Sequence, residues 1–170
     1  MVLRLHTFLF ADLVGFAELT SEQGDDEAAE LAICFHRRVS ELARELGCHV
    51  VKAIGDAVMV RSENGEAAVQ LASRILGLAR AEALPPVRVG LDTGPAVERN
   101  GDWFGATVNT ASRVTAAAGV DELLMTERTR NAAAGVRGLE LTARGKHPLK
   151  GLPEQILFGE PSRPRRSARG

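Results

Sequence analysis

Cysteine is scarce and unpatterned: Cys34 and Cys48 form no Cys-x-x-Cys unit and share no ligand spacing with a histidine. A zinc site of the usual spacing and a disulfide framework are thereby disfavoured, and each thiol reads as a small buried apolar residue of a reducing compartment. His6, His36, His49 and His147 are scattered, and no two are spaced as a metal pair. An excess of charge of either sign is also missing. The 21 basic and 22 acidic residues leave a formal net charge of -1, so no global field draws in nucleic acid or an anionic membrane, and an anionic ligand must be held by local chemistry. No apolar run reaches 18 residues, and MVLRLHTFLFADLV is interrupted by Arg4, His6 and Asp12. Neither a membrane span nor a charged-then-apolar leader is expected. The expectation is a soluble, cytoplasmic protein with no nucleic-acid or membrane partner and no internal repeat.

What is present suits one globular domain. The chain has 170 residues, 45% hydrophobic and 25% charged, enough for a real core. The domain is expected to span residues 1–160, and the Pro/Arg/Ser-rich stretch 161–170 reads as a disordered basic tail. Residues 2–13 run apolar and β-rich, as a strand buried on both faces does. Gly15 and Phe16 then turn the chain. Ala28, Leu31, Ala32, Phe35, Val39, Leu42 and Leu46 recur at steps of three and four, predicting a helix that starts at Asp25, Asp26 and Glu27 and stops at Gly47. HVVKAI and AVMV form a hairpin around Gly55-Asp56. A second helix follows Asn64-Gly65, then the strand VRVGLDTG, an Asn100-Gly101 hairpin, and a helix over about 104–118. A strand over 122–126, a short helix over 128–134 and two closing strands joined by a basic loop complete the order. This is a β-α-β-β-α-β core with C-terminal additions, the pattern of a ferredoxin-like or palm-type α/β sandwich.

Two carboxylates give the pattern its chemistry. Asp56 sits at the hairpin tip and Asp12 ends the run TFLFADLVGF; alone, either reads as a turn or cap residue. In a β-α-β-β-α-β topology, strand one lies beside the hairpin. The two acids then meet at one sheet edge, as a divalent-cation site requires.

FADLVGF, KAIGDAVM, VRVGLDTG and GDWFGATVNTASRV occur in this order, and together they resemble the catalytic core of the class III nucleotidyl cyclases. The similarity runs from about residue 7 to about residue 158. It implies conversion of a nucleoside triphosphate to its cyclic monophosphate at two Mg2+ or Mn2+ ions per site. Asp12 and Asp56 would ligate them with help from the Leu13 backbone oxygen. By the same resemblance Asn109 orients the ribose, Arg113 stabilises the transition state, and Arg88 lies near the polyphosphate. The basic loop carries Arg144, Lys146 and Lys150 as further candidates for a phosphate contact, with Lys150 preferred among them. Asp92 departs from the pattern, since many members carry His there.

Base choice follows from hydrogen-bond polarity. Lys52 can donate to adenine N1 and Asp102 can accept from the exocyclic amine, whereas guanine presents the reverse pattern. Adenylyl cyclases have Lys and Asp at these places and guanylyl cyclases Glu and Cys, so the resemblance points to ATP as the nucleotide partner. The assignment of Asp102 rests on counting back seven residues from Asn109. Family members place the metal acids on one subunit and the base-reading and Asn/Arg residues on the other. A head-to-tail homodimer with two equivalent sites is therefore expected. A non-catalytic cyclase-homology module would have lost an acid or the Asn/Arg pair, and a diguanylate cyclase would carry a GGDEF-like tip.

Overall fold

The structure, a computed structural model, describes residues 3–152 and 154–160. The expected tail over 161–170 lies outside the described residues. Fourteen elements follow in the order β1 (His6–Leu13), α1 (Phe16–Gln23), α2 (Asp25–Glu45), β2 (His49–Ile54), β3 (Ala57–Ser62), α3 (Gly65–Ala81), β4 (Val87–Gly94), β5 (Val97–Arg99), β6 (Asp102–Phe104), α4 (Ala106–Ala117), β7 (Leu123–Thr126), α5 (Glu127–Ala132), β8 (Thr142–His147) and β9 (Gln155–Gly159). Seven strands form one sheet in the order β2-β3-β1-β4-β7-β9-β8, while β5 and β6 form a separate two-stranded hairpin. Its first four strands lie as β2-β3-β1-β4, the arrangement expected for a ferredoxin-like core, and β7 to β9 extend it.

Strand β1 is buried on both faces, as its apolar run predicts. Leu9, Ala11 and Leu13 join Val58, Val60, Val87, Val89 and Leu91 in the core under α2 and α3. Phe8 and Phe10 point the other way, into a smaller cluster with Met59 and Ala111 of α4. Helix α2 buries Ala28, Ala32, Phe35, Val39, Leu42 and Ala43, a stripe at helical spacing. Helix α3 begins where Asn64 Oδ1 accepts from the backbone N–H of Glu66 at 3.0 Å and Ala67 at 3.2 Å, satisfying two donors that the first turn leaves over.

Four details depart from the sequence expectation. Strand β1 starts at His6, because Leu3 and Leu5 are exposed and unpaired with the sheet. Helix α1 replaces a simple turn; it follows Gly15 at φ 77°, and none of its residues is fully buried, with only Phe16, Leu19 and Thr20 half-covered. Helix α4 starts at Ala106, because Phe104 pairs with Val97 in the hairpin. Of the two thiols, Cys48 is buried as expected while Cys34 is only half-buried.

The close approach of α4 to the sheet depends on one missing side chain. A Cβ at Gly90 would lie 2.2 Å from the Thr115 backbone nitrogen and 2.4 Å from its Oγ1. Backbone cannot swing aside as a long side chain can, so Gly90 is what lets α4 lie against β4. Gly90→Ala is expected to cost about 1–3 kcal/mol of stability through overpacking, read as a lowered urea midpoint. An unchanged midpoint would mean that α4 packs farther from the sheet.

Candidate active site

The register of the central strands assembles the carboxylates. Strand β1 pairs antiparallel with β4, which sets Asp12 opposite Arg88. On its other side β1 pairs antiparallel with β3 up to Ala11↔Val58, so the β2–β3 tip carrying Asp56 comes up beside the end of β1. The Leu13 N–H donates to Asp56 Oδ2 at 3.1 Å. Arg88 forks onto Asp12, Nε to Oδ1 at 2.7 Å and Nη2 to Oδ2 at 3.1 Å, and its Nη1 donates to the Ala116 carbonyl of α4 at 3.3 Å. A bidentate guanidinium–carboxylate pair is the strong form of this interaction.

Asp12 nevertheless holds its proton more tightly than an ordinary carboxylate. Burial pushes its pKa up, the neighbouring Asp56 charge adds to the rise, and Arg88 opposes both. The folded chain therefore binds this proton better than the unfolded chain. Stability from this group is full at low pH and declines as pH rises from the ordinary carboxylate range through the raised value. A bound cation would offset that loss. The donor set fits a hard divalent ion, since Asp12 and Asp56 present carboxylate oxygens at one edge with the Leu13 backbone alongside, all oxygen ligands. Among the described residues no group of three or more His, Cys, Asp or Glu is arranged to hold a metal ion.

The predicted base-reading residues also meet. Lys52 Nζ donates to Asp102 Oδ2 at 2.6 Å, and the Trp103 N–H donates to Oδ1 of the same carboxylate at 2.8 Å. Asp102 is accordingly held below the usual carboxylate range, first by Lys52 and then by the Trp103 N–H. Asn100 at φ 53° and Gly101 at φ 78° form the tight turn that returns Asp102 opposite Arg99. The face that Lys52 occupies is set by a bulge between Val50 and Lys52. In an unbroken ladder Lys52 would oppose Val58, whose side chain enters the α2–α3 core; the bulge sets it opposite Met59, on the α4 side.

Asn109 and Arg113 lie on the exposed face of α4, opposite its buried Thr107, Thr110, Ala111, Val114 and Thr115. Among the described residues neither side chain makes a hydrogen bond, and no ion pair links them to Asp12, Asp56, Lys52 or Asp102. Lys150 is exposed in the turn region before β9, and Lys146 is exposed on β8. Arg144 donates to the Glu160 carbonyl at 2.6 Å. Asp92, where the sequence departs from its pattern, is fully buried and structural: Thr126 Oγ1 donates to it at 2.6 Å and Arg128 Nη2 at 2.5 Å.

Sequence reasoning missed two features. One is the engagement of Arg88 by Asp12, which only a cross-strand register could have revealed. The other is the setting of Trp103, whose neighbours His6, Phe8 and Arg61 are remote in sequence.

The family model described as the adenylate and guanylate cyclase catalytic domain matches residues 5–159. The chain belongs to that family. An adenylate cyclase of Streptomyces griseus is 36% identical over 126 residues, covering 74% of this chain and 32% of its own length. A pH-sensitive adenylate cyclase of Mycobacterium tuberculosis is 35% identical over 153 residues, covering 86% of this chain and 38% of its own. The cyclase domain thus spans about a third of the length of these curated relatives. Among solved structures, the adenylyl cyclase CyaB of P. aeruginosa superposes with a TM-score of 0.78 at 22% identity, covering 95% of both chains. The guanylate cyclase domain of RhGC from Catenaria anguillulae, in complex with GTP, superposes with a TM-score of 0.82 at 20% identity, covering 95% of this chain and 98% of that one. At such identities the superpositions establish the fold of the cyclase domain.

Replacing Arg88 by Ala in this domain removes the counter-charge from a half-buried carboxylate that already faces Asp56. The Asp12 pKa is expected to rise further, read from its carboxyl carbon resonance against pH. A fall or no change would mean that the Arg88–Asp12 pair does not form in solution.

Proposed function

We propose that this domain is an adenylate cyclase, converting ATP to 3′,5′-cyclic AMP and pyrophosphate at two sites shared across a head-to-tail homodimer in the cytoplasm. The observation that carries the reading is the meeting of Lys52 and Asp102 at 2.6 Å. Their pairing supports the count back from Asn109, and it offers adenine an ammonium donor beside a carboxylate acceptor. Two Mg2+ or Mn2+ ions, held by Asp12, Asp56 and the Leu13 backbone oxygen, would lower the pKa of the ribose 3′-hydroxyl and neutralise the departing pyrophosphate.

The remaining roles fall to side chains. The 3′-oxygen attacks the α-phosphorus, the bond from that phosphorus to the oxygen of the β-phosphate breaks in line, and the hydroxyl proton passes to solvent. Asn109 orients the ribose from α4. Arg113, one turn on, faces the charge that develops on the α-phosphoryl oxygens, the kind of contact that contributes roughly 2.7–4 kcal/mol per donor. Lys150, exposed in the turn before β9, would meet the terminal phosphates. Arg88, held on Asp12 through Nε and Nη2, would turn its remaining N–H donors to the polyphosphate.

The dimer is supported by what one chain leaves open. Asn109 and Arg113 face solvent, and Ile54 of β2, Val97 of β5 and Phe104 of β6 are 50%, 48% and 53% exposed. Apolar side chains at the hairpin and at an edge strand suit a surface covered by a second copy.

Incubation with ATP or GTP and Mg2+ or Mn2+, with products separated by chromatography, tests the substrate. ATP should be favoured by about tenfold to a hundredfold, since an unmatched buried polar group costs on the order of 1–3 kcal/mol. Equal turnover, or preference for GTP, would contradict the base assignment. The shared site predicts complementation. Asp56→Ala and Arg113→Ala chains are each expected to be inactive, whereas purified heterodimers of the two should recover about half of the wild-type rate because one of two sites is whole. Heterodimers that stay inactive would place each site within a single subunit.

A further inference from the structure

The hairpin that carries Asp102 has little to hold it in place. Strands β5 and β6 are three residues each, pair only with one another, and stand apart from the seven-stranded sheet. Strand β5 is exposed throughout, and a lone two-stranded hairpin is marginal in water. Yet Asp102 meets Lys52 in an ion pair that the base assignment requires to be positioned.

The residue that fastens the hairpin is Trp103. Its indole lies 4.6 Å from the His6 ring and 5.8 Å from the Phe8 ring, centre to centre, and the Arg61 guanidinium sits 4.6 Å over its face. These are the spacings of tilted aromatic and cation–π contacts. Arg61 Nη1 lies 3.1 Å from His6 Nδ1. A guanidinium has no acceptor, so Nδ1 is the unprotonated nitrogen and the imidazole is neutral. The stack of β1, β3 and β6 is thus closed by a defined hydrogen bond. The same cluster packs Val51 of β2 beside Trp103, with Phe8, Phe10 and Met59 beneath. Val51 is the residue displaced by the bulge that brings Lys52 to the α4 side. Both halves of the Lys52–Asp102 pair therefore stand on one apolar mount.

We infer that Trp103, seated on His6, Phe8 and Arg61, is the positioning residue that sets base choice: it holds Asp102 where Lys52 and the adenine amine can share it. The inference rests on the reading of Lys52 and Asp102 as the base-contacting pair. Trp103 makes no contact with the reacting atoms, and acts through its neighbour. Removing its ring should loosen the hairpin, separate Asp102 from Lys52 and blunt discrimination between the two purines, while Asp12, Asp56, Asn109 and Arg113 remain in place.

The test compares wild type, Trp103→Phe and Trp103→Ala by kcat and KM for ATP and for GTP, beside the Asp102 carboxyl titration followed by NMR. Trp103→Ala is expected to lose about tenfold or more in kcat/KM for ATP, mostly through KM, with GTP turnover within about twofold of wild type. The ATP-to-GTP ratio then collapses, and the Asp102 pKa rises toward the ordinary carboxylate range. Trp103→Phe, which keeps a ring against His6 and Phe8, should retain the ratio to within about threefold. A uniform loss for both nucleotides in folded Trp103→Ala would make Trp103 merely structural and overturn the inference. So would an unchanged Asp102 titration, which removes the mount. Wild type without preference for ATP, combined with a shifted Asp102 titration in Trp103→Ala, keeps the mount but overturns its role in base choice by removing the reading beneath it.

Discussion

The antiparallel register of β1 between β3 and β4 is the constraint on which the site depends. Because Asp12 stands opposite Arg88 and Ala11 opposite Val58, the strand end, the guanidinium and the hairpin tip arrive at one edge together. A slip of one residue along either ladder would turn Asp12 into the core and an apolar side chain out. The slip is resisted on both faces at once. Leu9, Ala11 and Leu13 are committed to the α2–α3 core, while Phe8 and Phe10 are committed to the cluster under α4. Chemistry at the strand end is thus guarded by ordinary packing along the rest of the strand, and Gly90 extends the arrangement to α4 by admitting its backbone.

The electrostatics of that edge are those of a site prepared for positive charge. Asp12 meets Asp56 where burial already penalises the ionisation of Asp12, and Arg88 opposes that penalty while the Leu13 N–H donates to Asp56. A half-buried anion pair with a single guanidinium is only partly compensated. A divalent cation would complete the compensation.

How far the residues alone disclosed this varies from element to element. The convergence of Asp12 and Asp56 was readable because a Gly-Asp hairpin tip and a strand end are local signals, and the β-α-β-β-α-β order leaves few ways to pair them. The face of α4 bearing Asn109 and Arg113 was readable from helical spacing. The face of Lys52 was not, because a bulge in HVVKAI leaves no mark in a run of strand-forming residues, and one inserted residue reverses every side chain beyond it. Helix α1 was hidden for another reason: it is eight residues long and none of them is fully buried, so its half-buried Phe16, Leu19 and Thr20 make only a short stripe. The partner of Arg88 and the seat of Trp103 are contacts between distant positions, His6 with Trp103 and Arg88 with Asp12, which only the folded register brings together.

The two-carboxylate site is tested most directly by cation binding itself. Calorimetric titration of Mn2+ into the protein with a non-cyclisable ATP analogue is expected to give two cations per nucleotide site for wild type, and loss of bound cation for folded Asp12→Ala and Asp56→Ala alike. Full stoichiometry and affinity in either variant would contradict the assignment of these two acids as the shared ligands.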